Sequence, residues 1–318
     1  MDKYEIRMTN DERSPKLETE LRCRLQVVGG GLRGVSQPAT CNPEPATRPS
    51  LRMAAEIDFK IVPSGHDPWN YCLMHNPIIV ALDVPTPEAA LKLVAQLQSA
   101  VGAFKVGKEL FVSAGPEVVR SIRGTGGSVF LDLKFHDIPN TVARAVGAAV
   151  QLDVQMLTVH ASGGSAMMRA AERAAQETAG RLGRRLPLVL GVTILTSLDS
   201  NELAEIGMHA NVGHQVERLA SLAAAAGLRG LVCSPLEIAG LRQIIPSAMQ
   251  LVSPGIRPAD AKKDDQKRTL SPSEALAAGA DWLVIGRPIC AAEDPRVAAE
   301  RILASLYPAQ GAPNSCSG

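Results

Sequence analysis

The sequence predicts an α/β chain, and within that class a (β/α)8 TIM barrel. Three observations carry the prediction. From Asn76 onward, eight short apolar runs recur along the chain. Alanine-rich helical segments such as PEAALKLVAQLQSA and SAMMRAAERAAQETAGR separate most of them. The whole alternation fills about 240 residues, close to the ~250 that such barrels need. A doubly wound open sheet is the alternative, but it more often has fewer strands and a glycine-rich first turn.

The elements follow in order. The first run, PIIVALDV (77–84), separates by period two into Ile78, Val80 and Leu82 on one face and Ile79, Ala81 and Asp83 on the other. The second, AFKVG (103–107), sets Lys105 opposite Phe104 and Val106. The third, SVFLDLK (128–134), runs into FHDIPNT; Leu131, Leu133 and Phe135 share one face, Asp132 and Lys134 the other. QMLTVHA (155–161), PLVLGVTIL (187–195), GLVC (230–233), QLVSPGI (250–256) and DWLVIGR (281–287) complete the set. The apolar faces suit packing against helices. Asp83, Lys105, Asp132 and Lys134 then point inward from three consecutive strands, near the C-terminal mouth where barrel sites lie.

A salt-bridge network that merely fixes the barrel would be a costly way to fill those positions. Desolvating each ion costs several kcal/mol and the Coulomb gain often only breaks even. Val or Ile would serve stability better. Acids flanking a lysine favour its charged form, which suits a proton donor. An acid two residues before the lysine would also repel a bound anion. Together they fit a reaction that expels a carboxylate and protonates the carbanion left behind. A Schiff-base lysine needs the opposite environment, burial or a cationic neighbour.

The other end of the mouth reads as a phosphate site. Barrels often bind phosphate with the loops after strands seven and eight, here SPGIRP (253–258) and IGRP (285–288). Gly286 lets a ligand oxygen approach the backbone, and Arg287 offers two parallel hydrogen bonds. Between them ADAKKDDQKRTLSPSEAL reads as a polar loop, too polar to pack and long enough to close over a ligand; Gln266 within it is a candidate donor.

Outside the alternation the text changes. Residues 1–75 carry mixed charges and then GGGLRGVSQPATCNPEPATRPS. Gly29, Gly31 and Gly34 fit G-x-G-x-x-G, but Pro38, Pro43 and Pro45 forbid the helix that a dinucleotide site requires there. Asp2, Glu5, Asp11 and Glu12 contradict an acid-poor transit peptide, and a secretory signal lacks its apolar core. The segment reads as a low-order extension, or as sequence upstream of a start at Met74. Residues 308–318 read as a flexible tail.

Composition narrows the function. A net charge of +1 and 3% aromatic residues argue against nucleic acid as a partner, and no apolar run reaches membrane-spanning length. Cys23, Cys41, Cys72, Cys233, Cys290 and Cys316 form no CxxC pair and read as free thiols of a cytoplasmic protein. His136, His160, His209 and His214 show no metal-ligand spacing.

FLDLKFHDIPNT fits D-x-K-x-x-D-I-P-N-T, and on it the chain resembles the orotidine 5′-phosphate decarboxylases. VALDVPT, FKVGKELF, GVTILTSL, VSPGIRP and VIGRP match that family's strand ends in the same order, so the resemblance covers about residues 76–307. D-x-K-x-x-D alone is shared with related sugar-phosphate enzymes; the IPNT continuation and the PGIRP…DQKR…GRP series are more specific.

The resemblance implies conversion of orotidine 5′-phosphate to UMP and CO2, the last step of de novo pyrimidine synthesis, with no metal or organic cofactor. It implies Lys134 as proton donor at C6, Asp132 beside the departing carboxylate, and Asp83 and Lys105 at the ribose hydroxyls, with Lys105 also bonded to Asp132. Asp137 and Thr141 would reach a partner's site across a homodimer interface, and Ile138 would bind substrate. Thr196 and Pro254 would contact the pyrimidine, and Arg257, Gln266, Gly286 and Arg287 the phosphate side. A phosphoribosyltransferase domain can precede such a barrel, but 75 residues without a P-loop or strand–helix alternation cannot form one, which reads as monofunctional. Two other readings stand beside this one: a magnesium-dependent keto-gulonate phosphate decarboxylase or hexulose phosphate synthase of the same barrel type, and a non-catalytic phosphate-binding scaffold.

Overall fold

The computed structural model describes residues 76–257 and 269–306. All eight expected strands form: β1 (Ile78–Ala81), β2 (Ala103–Gly107), β3 (Val129–Phe135), β4 (Met156–His160), β5 (Leu188–Val192), β6 (Gly230–Val232), β7 (Gln250–Ser253) and β8 (Trp282–Ile285). They pair in chain order, all parallel, and β8 closes on β1 through Ile79 and Val284. Closure leaves no edge strand with unpaired backbone groups.

The helices between them start where the local chemistry allows. In α1 (Pro87–Leu97), Thr86 accepts the Ala89 N–H and Pro87 occupies the first turn, where its missing N–H costs nothing. Next come α2 (Lys108–Ala114), α3 (Glu117–Gly124), α4 (Pro139–Gln151) and α5 (Gly164–Leu182). Pro139 opens α4 directly after the charged strand, so DIPN ends one element and begins another. Gly183, at φ 59, closes α5 in a left-handed cap. Asp199 and Glu202 cap α6 (Ser200–Glu205) reciprocally, and α7 (Val212–Ala225) and α8 (Ile238–Ile244) follow. Then come α9 (Pro272–Ala277), α10 (Arg287–Cys290) and α11 (Pro295–Leu306).

One expectation is corrected here. SPSEAL is not loop: Ser271 and Glu274 form a capping box on α9, which buries Pro272 and Ala275. A serine cap, a proline at the first position and a glutamate at the third make a helix start, which outweighs the polarity of the preceding run. The bridge between Ile256 and Leu270 marks where the strand-seven loop leaves and rejoins the barrel.

Period two sorts the core as the sequence implies. Ile78, Val80, Leu82, Phe104, Val106, Leu131, Leu157 and Val159 face the helices. Ile79, Ala81, Ala103, Phe130, Met156, Leu190, Val252, Trp282 and Val284 fill the barrel itself. Each fully buried Val, Leu, Ile, Phe or Met among them stabilises the fold by roughly 1.5–3 kcal/mol. Above this plug β2, β3 and β4 carry polar inner side chains: Lys105, Asp132, Lys134 and Thr158. Among the described residues no helix is long and apolar enough to cross a membrane.

Candidate active site

Three adjacent strands place an alternating line of charge at the mouth. Asp83 lies just past the end of β1, Lys105 inside β2, and Asp132 and Lys134 inside β3. The Lys105 Nζ donates to Asp83 Oδ1 at 3.0 Å and stands 3.9 Å from Asp132 Oδ2. The Lys134 Nζ donates to both Asp132 oxygens at 2.8 Å. The inner three side chains are shielded, with Lys105 and Asp132 each 12% exposed and Lys134 23%, whereas Asp83 is 65% exposed. Each lysine therefore shares Asp132, and the line runs from solvent at Asp83 to the ammonium of Lys134.

Small residues keep this line open. A Cβ on Gly107 would lie 3.2 Å from the Lys105 Nζ and 3.5 Å from Asp83 Oδ1. Gly286, the residue before α10, faces the same carboxylate, and a Cβ there would lie 3.8 Å from Asp83 Oδ2. The expected phosphate end thus adjoins the charged line. Arg287 is exposed and opens α10; Arg257 is half-buried, its backbone N–H bonded to the Leu270 carbonyl. Thr196 sits half-buried in the turn after β5, and Pro254 half-buried after β7. Gln266 lies outside the described residues.

Asp137 stands apart. Lys134's ammonium is paired with Asp132, while the Asp137 carboxylate accepts the N–H of Ile138. Asp137, Ile138 and Thr141 are all exposed on the rim, Ile138 by 66%. An exposed isoleucine thus stands beside an acid whose recorded partner is the next backbone N–H.

The line has three further neighbours, of which sequence reasoning missed Thr158. Thr158 of β4 is fully buried and donates to Asp132 Oδ1 at 3.0 Å. It shares the inward phase of Met156, so period two applied to LTVH could have found it. His160, at the end of the same strand, lies beside His136, with ring centroids 5.2 Å apart and tilted by 46°. Burial, then the nearby His136, Lys134 and Lys108, lower the His160 pKa to about 4, with Asp132 acting in the opposite sense. The imidazole is neutral at pH 7. Cys290 points its Sγ at the Ala81 carbonyl, and burial with Asp83 close by pushes its thiol up to about 11. Cys233 and Cys290 are free thiols; the other four cysteines lie outside the described residues. Among the described residues no group of three or more His, Cys, Asp or Glu side chains is arranged to hold a metal ion.

Comparison with known proteins shows the family and the fold. A model of the family described as orotidine 5′-phosphate decarboxylase / HUMPS matches residues 76–302. The chain is 52% identical over 230 residues to the orotidine 5′-phosphate decarboxylase of Moorella thermoacetica, covering 72% of this chain and 91% of that one. It is 54% identical over 230 residues to the protein of the same name from Pseudomonas fluorescens (strain Pf0-1), covering 72% and 97%. Among solved structures, the orotidine 5′-phosphate decarboxylase of Lactobacillus acidophilus superposes with a TM-score of 0.66 at 37% identity, covering 73% of this chain and 99% of that one.

Proposed function

Since this chain belongs to the orotidine 5′-phosphate decarboxylase / HUMPS family, we propose that it converts orotidine 5′-phosphate to UMP and CO2, the last step of de novo pyrimidine biosynthesis, and that Lys134 and Asp132 do the chemistry. The observation that carries the residue assignment is the single carboxylate held between two lysines at the barrel mouth.

The step is a bond cleavage followed by a proton transfer. The bond between C6 of the pyrimidine and the carboxylate carbon breaks, CO2 leaves, and the electron pair stays at C6. The Lys134 ammonium gives its proton to that carbon, and the neutral amine regains one from water. No oxidant or reductant is consumed. Asp132 lies where the departing carboxylate must pass. Its fixed charge holds the ammonium in place before the reaction, so no reorganisation is needed as charge develops at C6.

The remaining residues bind and orient. Asp83 and Lys105 take the ribose hydroxyls, and Thr196 and Pro254 the pyrimidine. Arg257, Gln266, Gly286 and Arg287 take the phosphate. Binding energy from the phosphate, remote from C6, positions the reacting carbon. Asp137, Ile138 and Thr141 complete the site of a second copy, so the working unit is a homodimer with shared sites in the cytoplasm. The exposed Ile138 and the Asp137 carboxylate, unpaired with Lys134, support that reading.

The test is direct. Purified protein is mixed with orotidine 5′-phosphate and excess EDTA, and loss of orotate absorbance is followed. Turnover unaffected by EDTA is expected. No turnover, or turnover abolished by EDTA, would remove the metal-free decarboxylase reading.

A further inference from the structure

The ladder between β3 and β4 breaks at one place. Leu131 pairs with Leu157, but the next matched pair is Phe135 with Val159. Asp132, Leu133 and Lys134 therefore stand opposite Thr158 alone. A bulge of this kind leaves backbone groups without ladder partners. Lys134 also adopts φ 54, the left-handed region, which costs a non-glycine residue of order 1–3 kcal/mol and persists only where the surroundings fix it.

Thr158 supplies that fixing. Its hydroxyl accepts the Lys134 backbone N–H at 2.8 Å and donates to Asp132 Oδ1 at 3.0 Å. The direction of both bonds is forced, because an amide N–H only donates and a carboxylate only accepts. One fully buried oxygen thus ties the main chain of the lysine to the side chain of its partner acid.

We propose that Thr158 is a positioning residue for the decarboxylation: its hydroxyl replaces the missing ladder bond and locks the bulge that aims the Lys134 ammonium at C6. This rests on the reading of Lys134 as the proton donor. Valine keeps the shape and the β-branch of threonine but not the hydroxyl. With valine the Lys134 N–H loses its acceptor, the strained backbone relaxes toward an ordinary strand conformation, and Asp132 turns. A displacement of about 1 Å at the reacting group is enough to cost ~100-fold in rate.

Steady-state kinetics on orotidine 5′-phosphate and UMP binding by calorimetry are compared for wild type, Thr158→Ser, Thr158→Val and Lys134→Ala. Thr158→Val is expected to lose about 100-fold in kcat while UMP affinity stays near wild type, and Thr158→Ser, which keeps the oxygen, to restore most of the rate. Should the valine variant not fold, Thr158→Ala against Thr158→Ser gives the same comparison. The proposal is overturned by a valine variant with wild-type kcat, by a serine variant as slow as valine, or by UMP binding that falls in step with kcat. An inert Lys134→Ala beside a fully active Thr158→Val overturns this proposal alone. An active Lys134→Ala overturns the assignment of Lys134 and this proposal with it.

Discussion

Replacing Asp132 with alanine strands two ammonium groups at once. The Lys134 Nζ lies 2.8 Å from the Asp132 carboxylate and the Lys105 Nζ 3.9 Å. At an effective dielectric of ~20 those separations correspond to roughly 6 and 4 kcal/mol of gross attraction. Most of this offsets the cost of taking the three charges out of water. Removing one member of a buried pair still costs about 3–5 kcal/mol, because the remaining charge is left uncompensated. The low end applies here, since Lys134 keeps some water contact and Lys105 keeps Asp83 at 3.0 Å. A loss of about 3 kcal/mol in a barrel of this size lowers Tm by ~6–12 °C. The assay is urea and thermal unfolding of Asp132→Ala, Lys134→Ala and the double variant. Removing Lys134 as well deletes one stranded charge, so the double loss should fall short of the sum by at least ~1 kcal/mol. Additive losses within ~0.5 kcal/mol, or an Asp132→Ala protein as stable as wild type, would refute the reasoning.

Three further outcomes are expected. His160 is neutral in the fold, with its pKa near 4 against 6.5; between those values the unfolded chain binds a proton that the folded chain does not. Its contribution to stability is complete above pH 6.5 and lost as pH falls toward 4, so urea unfolding from pH 7.5 to 5 should show a slope that His160→Asn reduces, and an unchanged slope would discount the burial argument. Arg287→Ala should lower kcat/KM on orotidine 5′-phosphate far more than on the nucleoside orotidine; equal losses would place the arginine away from the phosphate. Mixing Lys134→Ala with Asp137→Ala should regain about a quarter of wild-type activity, because each mixed dimer of a two-fold pair rebuilds one intact site; a mixture that stays inert after subunit exchange would confine each site to one chain.

Much of the site was legible because its logic is local. Lys105, Asp132 and Lys134 each sit at a fixed phase of a strand, Asp83 continues the phase of β1 just past its end, and period two assigns all four the inner face. Parallel strands paired in chain order then bring them together. The rim residues Asp137, Ile138 and Thr141 were legible as a group only through the D-I-P-N-T motif; nothing in their own spacing says that the acid leaves Lys134 to Asp132. SPSEAL reads as loop by polarity alone, whereas its serine cap, proline and glutamate make a helix start.

The sequence by itself determined the eight strands, their order, and which side chains turn inward, since hydrophobic alternation and turn chemistry are written residue by residue. The tertiary structure decided what each inward side chain meets. Where Lys134 leaves the strand geometry at φ 54, three residues of β3 face one residue of β4, and that stagger brings Thr158 under Asp132 and His160 over His136. Register across neighbouring strands is set by barrel closure and by the packing of the whole ring, so no single segment encodes it.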